Sequence, residues 1–116
     1  MPEFYKIPNH YKGDTFNGLQ FTVLNTVGLT AIDLTDVVIK SEFKLNNKKG
    51  QIVDTFIIGA GLTVTDALNG VFQIDPFILD WGISTYYYDI EFTFPNGRVI
   101  TYIDGTIKII QDITNG

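Results

Sequence analysis

Val37-Val38-Ile39-Lys40-Ser41-Glu42-Phe43-Lys44-Leu45 alternates with a period of two. Successive side chains of a strand point to opposite faces, so Val37, Ile39, Phe43 and Leu45 share one face while Lys40, Glu42 and Lys44 share the other. The stretch predicts a strand with one buried and one solvated face. Asn46-Asn47-Lys48-Lys49-Gly50 then offers residues that accept positive φ, and Gln51 to Ile58 reads as the return strand.

A second hairpin lies further along, from Tyr86-Tyr87-Tyr88-Asp89-Ile90-Glu91-Phe92-Thr93-Phe94 through Pro95-Asn96-Gly97-Arg98 to Val99-Ile100-Thr101-Tyr102-Ile103-Asp104. Asn-Gly is a strong two-residue turn signal, because a type I′ turn needs positive φ at both central positions. That turn sets Phe94 opposite Val99, Phe92 opposite Thr101 and Ile90 opposite Ile103 on the buried face. It sets Thr93 opposite Ile100, Glu91 opposite Tyr102 and Asp89 opposite Asp104 on the other. Gly105 is expected to end this strand, and Thr106 to Thr114 to form a last one with Ile107, Ile109 and Ile113 inward.

Upstream, Phe16 to Thr26 reads as an early strand interrupted at Gly18, and Val71 to Asp75 as a short strand before Pro76. Leu62 to Leu68 fits neither template. Pro76 to Gly82 has no period-two pattern and is expected to form a turn or a short 3₁₀ piece, with Phe77, Leu79 and Trp81 plugging one end of the core. No stretch sustains apolar spacing at three and four residues, and Val, Ile, Thr, Phe and Tyr dominate the apolar clusters. The expected fold is all-β, an antiparallel two-sheet immunoglobulin-like sandwich of about seven strands, with a small barrel as the other architecture. The tryptophan-disulfide signature of antibody domains is absent, so the likeness is architectural.

The 116 residues suffice for one domain. With 45% hydrophobic and 14% aromatic residues and no cysteine, stability must come from packing rather than cross-links. The lack of cysteine also removes thiolate metal sites and thiol nucleophiles. A formal charge of −5 disfavours phosphate-rich partners, so nucleic acid is not an expected partner. No basic stretch and apolar run open the chain, and no window reaches the roughly 18 apolar residues of a membrane helix, so neither a secretory signal nor a membrane partner is expected.

Candidate chemistry is sparse. His10 is the single histidine, which leaves a catalytic triad or the common zinc sites without partners; it is expected to be solvated or to cap a loop. Asp89 and Asp104, opposite each other with Glu91 on the same face, would repel unless a cation such as Ca²⁺ intervened, yet no dense Asp/Asn loop lies nearby to complete its oxygen shell. Asp33-Leu34-Thr35-Asp36 suits a side-chain-stabilised turn, and Gly59-Ala60-Gly61 suits a turn rather than a phosphate loop. Neither catalysis nor a cofactor is expected. The candidate interface residues are Phe4, Tyr5, Ile7 and Tyr11 near the N-terminus, with Trp81, Tyr87 and Tyr102 in the body. Residues 1–11 read as an irregular aromatic arm docking on a neighbouring subunit, and residues 12–116 as the domain.

Several segments follow one another along the chain: Lys12-Gly13-Asp14-Thr15-Phe16, Ile32-Asp33-Leu34-Thr35, Tyr87-Tyr88-Asp89-Ile90-Glu91, Asn96-Gly97-Arg98, Thr101-Tyr102-Ile103-Asp104-Gly105-Thr106 and Asp112-Ile113-Thr114. Together they span nearly the whole chain, and the order resembles the immunoglobulin-like N-terminal domain of phage baseplate upper proteins and related tail and virion proteins. The resemblance implies an adaptor that attaches a receptor-binding or fibre module, made in the host cytoplasm and carried in the virion. Its implied partners are other virion proteins in a homo- or hetero-oligomeric assembly. No fibre or coiled-coil segment lies within these 116 residues, a departure from that plan that leads us to expect either a separately encoded small virion protein or a fragment. Other readings are a carbohydrate-binding module contacting a surface glycan through Trp81, Tyr87 and Tyr102, and a head-associated decoration or head-fibre protein.

Overall fold

The computed structural model describes residues 3–25 and 29–111. Among them are ten strands: β1 (Glu3–Tyr11), β2 (Thr15–Phe16), β3 (Leu19–Thr22), β4 (Val38–Leu45), β5 (Ile52–Ile58), β6 (Gly61–Asp66), β7 (Val71–Ile74), β8 (Phe77–Ile78), β9 (Ser84–Thr93) and β10 (Val99–Ile110). One 3₁₀ turn, Ala67–Asn69, joins β6 to β7. The all-β class holds.

The expected pair of antiparallel sheets is replaced by one curled, mixed sheet in the order β1-β10-β9-β4-β5-β6-β7-β3, with β2 and β8 forming a separate two-stranded ribbon. The curl originates at Gly59-Ala60-Gly61. Gly59 and Gly61 take φ of 87° and 106°, values costly for side chains with a Cβ, and the chain turns a corner there. Ile57 and Ile58 then pair in parallel with Gly61 and Leu62, so hydrogen bonding continues around the bend. β7 is thereby carried over β9, where the Phe72 and Phe92 rings meet edge to face at 5.5 Å.

β4 shows the expected alternation. Ile39, Ser41 and Phe43 are buried, and Lys40, Glu42 and Lys44 face outward. Tyr86, Tyr88, Ile90 and Phe92 of β9, with Ile103, Ile107 and Ile109 of β10, complete that wall of the core. Each fully buried side chain of this size contributes about 1.5–3 kcal/mol, so this wall outweighs any polar contact in the molecule. Ser41 sits within it, fully buried, its Oγ without a hydrogen-bond partner among the described residues. At one end Phe43, Phe56, Phe77, Trp81 and Tyr86 form a chain of ring contacts at 5.1–6.0 Å, the expected plug. Its backbone differs from expectation: Phe77–Ile78 is a strand, β8, paired with β2, rather than a 3₁₀ piece.

The β9–β10 connection holds three residues, not two. The Phe94 N–H donates to Arg98 O at 2.9 Å and the Gly97 N–H to Phe94 O at 2.8 Å, with Gly97 at φ 88°. Thr93 therefore faces Val99 and Phe92 faces Ile100, one step off the expected register. A bulge between Thr101 and Ile103 absorbs the difference, so Ile90 opposite Ile103 and Asp89 opposite Asp104 hold as expected. Gly105 does not end the strand: β10 runs through it to Ile110. A Cβ there would overlap the Tyr5 carbonyl oxygen, so glycine serves the close approach of β1.

The N-terminal segment, expected as an irregular arm, is a nine-residue strand of the chain's own sheet. β1 pairs in parallel with β10, from Glu3 opposite Ile103 to Tyr11 opposite Ile110. Only Ile7 is buried, which hides the alternation a strand would otherwise show. The Tyr88 hydroxyl holds β1 from the core side, donating to Tyr5 O at 2.9 Å.

Candidate functional site

Two surface features stand out. The first lies on the outward face of the β4-β9-β10 ladder. Glu42 pairs with Asp89, and Asp89 with Asp104, so alternation places three carboxylates in one row across three strands. Lys40 and Lys44 approach Glu42 at 3.8 and 3.9 Å, and Lys48 reaches back from the β4–β5 turn to within 3.4 Å of Asp104. Exposed pairs of this kind contribute about 0–1 kcal/mol each, so they orient side chains more than they stabilise the fold. Tyr87 and Thr101 help line a recess of about 210 Å³ over this row.

Asp89, in the middle of the row, makes no ion pair among the described residues. Burial pushes its carboxyl above the ordinary carboxylate range, Lys44 opposes the shift, and Glu42, Glu91 and Asp104 reinforce it. Among the described residues no group of three His, Cys, Asp or Glu side chains is arranged to hold a metal ion. The arrangement is therefore a strip of mixed charge.

The second feature is the free side of β1. Phe4, Tyr5 and Tyr11 are 60%, 40% and 44% exposed, whereas Ile7, grouped with them on sequence grounds, is 3% exposed and belongs to the core. Ile7 faces inward because its pairing with Ile107 places it on the buried side of the ladder. The curl brings β1 opposite β3, the other edge of the same sheet. Tyr5 and Phe21 meet edge to face at 6.1 Å across the gap, which forms a groove of about 300 Å³. The groove was not legible in the sequence, since nothing in the β1 or β3 segments signals that two distant strands become facing edges.

The remaining candidates are dispersed. Trp81 is half-buried in the aromatic plug against Phe43, Phe77 and Tyr86. Tyr87 lies on the outward face above Asp89. Tyr102, expected on the outward face opposite Glu91, is turned by the bulge against Phe92 at 5.2 Å and Phe94 at 6.3 Å. No ring contact joins any two of the three, so they do not form a shared stacking platform. His10 closes a loop, its Nε2 2.9 Å from the Asp14 carbonyl oxygen and its ring against Phe16. Asp33 Oδ1 accepts from the Thr35 N–H and hydroxyl, as its turn reading requires, and these bonds lower its pKa, led by the hydroxyl.

No family model matches the sequence, and no curated protein matches it. Among solved structures, extracellular domains 3–5 of Drosophila OTK align with 96% of this chain at 13% identity and a TM-score of 0.34. The alignment covers 33% of that structure, so this chain spans about a third of its length. A likeness of that size bears on neither fold nor function.

Proposed function

We propose that this chain is a structural protein of a bacteriophage particle, an adaptor of the tail, baseplate or fibre-attachment kind that acts through protein–protein contacts. The observation that carries the reading is β1: a nine-residue edge strand whose aromatic side chains Phe4, Tyr5 and Tyr11 stand in solvent. An open edge invites pairing with another chain, and a protein that leaves one exposed gains from having it covered in an assembly. The ordered segments resembling phage baseplate upper proteins support the same reading. Its finer architecture is an immunoglobulin-like sandwich, with the two halves of the curled sheet as the layers and the Phe72–Phe92 contact between them. The partners are other virion proteins, and the location is the particle. The dispersal of Trp81, Tyr87 and Tyr102 weighs against the glycan-binding reading, because a sugar ring rewards a continuous aromatic plane.

Disruption of the gene in the virus that encodes it tests the proposal. The expected result is particles that lack one module by electron microscopy and mass spectrometry. Particles of unchanged composition and infectivity would overturn it.

A further inference from the structure

We infer that the gap between β1 and β3 seats an extended segment of a partner polypeptide, which adds a strand between the two edges and closes the curled sheet. This deepens the adaptor reading and rests on it. The first half of β1 keeps an unbroken one-to-one register with β10, from Glu3 opposite Ile103 to Ile7 opposite Ile107. Its second half is spoiled for pairing by Pro8, which has no N–H, and by the register shift between Ile7 and His10. The usable edge is thus Glu3 to Ile7, and the groove lies along this half of the strand.

β3 pairs with β7 on one side, from Leu19 opposite Ile74 to Thr22 opposite Val71, and turns its other side to the groove. Among the described residues no ladder joins β1 to β3. Of the seven steps round the sheet from β1 to β3, β1–β10 and β5–β6 are parallel and the other five antiparallel, so the two edges run in opposite senses. A strand between them is antiparallel to one and parallel to the other.

These two edges select the occupant. The β1 of a second copy has one side committed to its own β10 and could satisfy only one edge, whereas a free extended segment has two sides to offer. The groove selects its chemistry. Tyr5, Leu19, Phe21 and Ile103 supply the apolar part of a mixed lining that Gln20 and Thr22 share, and among the described residues Glu3 is the one charged side chain in it. The fitting segment is about five residues long, roughly 17 Å. It alternates apolar and polar side chains, with a lysine or arginine placed against Glu3.

The test screens the full chain against an immobilised library of seven-residue peptides that alternate Val, Ile, Leu or Tyr with Thr or Ser and carry Lys or Arg near one end. Hydrogen exchange with the best binder is then followed by NMR. Amides within Glu3 to Ile7 and Leu19 to Thr22 should slow about tenfold or more. Two versions of that peptide, N-methylated at its odd or at its even residues, should each bind about tenfold more weakly, as expected for the loss of two backbone hydrogen bonds. No binder, protection confined to one edge, or indifference to either methylation pattern overturns the inference, as does a dimer of the chain alone paired through β1. If peptides fail while the particle still needs the chain, this inference falls and the adaptor reading stands; bound peptides with a dispensable chain give the reverse.

Discussion

β9 and β1 belong to one sheet and are held in it by different means. β9 has a long antiparallel partner on each side, β4 and β10, and places Tyr86, Tyr88, Ile90 and Phe92 in the core. Among the described residues β1 has one partner, in parallel, and buries Ile7 alone. Strands of the first kind are held by packing, those of the second by backbone pairing and a few specific contacts. Exposed backbone pairing with little apolar burial opens at low free energy, so the edge is the natural place for local unfolding and for exchange of partners.

The sharpest way to break the contrast is Phe92→Ala. Removal of a fully buried phenylalanine in contact with Phe72 should cost about 3–5 kcal/mol, a large part of a domain's usual stability. Denaturant unfolding checks this; a midpoint within error of the parent would show that β9 is not held by packing. Gly105→Ala comes next, because its Cβ would meet the Tyr5 carbonyl oxygen and the cheapest relief is the departure of β1. The expected cost is about 2 kcal/mol, with faster amide exchange across Glu3 to Tyr11 while β4 and β9 stay protected. Uniform loss of protection would mean that the two regions are one cooperative unit.

Tyr88→Phe removes the hydroxyl that holds Tyr5 O and should cost about 1 kcal/mol, again with its exchange signature on β1. The smallest effect concerns the outward row. The Asp89 carboxyl is raised in the folded state, so its ionisation opposes folding. The penalty is absent below the unfolded carboxylate range near pH 4 and grows as pH rises through the folded value. Asp89→Asn should therefore raise Tm at neutral pH, with the gain vanishing in acid. A gain that persists at low pH would remove the electrostatic account.

Legibility in the sequence followed burial. The alternation of Val37 to Leu45 marked β4 because one face is apolar but for Ser41, and Asn46 to Gly50 marked its turn by residues that accept positive φ. The carboxylate opposition of Asp89 and Asp104 was legible despite a misjudged turn, since the extra loop residue and the extra bulge residue cancel. Tyr102 was assigned to the wrong face for the same reason: a bulge leaves no local signature in a β-rich segment. Of the candidate interface, Phe4, Tyr5 and Tyr11 are exposed as expected, but β1 itself could not be read. Its partner lies at the far end of the chain, and solvent on both faces erases the period. Gly105 carried the needed signal, in a role that requires knowing what passes beside it.

The pairing of β1 with β10 has a temporal consequence. Glu3 meets Ile103, so all the residues between them must be synthesised before β1 finds its place, and closing so long a loop slows any contact of this kind. Until that pairing forms, Phe4, Tyr5 and Tyr11 are open to other contacts, and how long they stay so is set by the rate at which the distant strand is made.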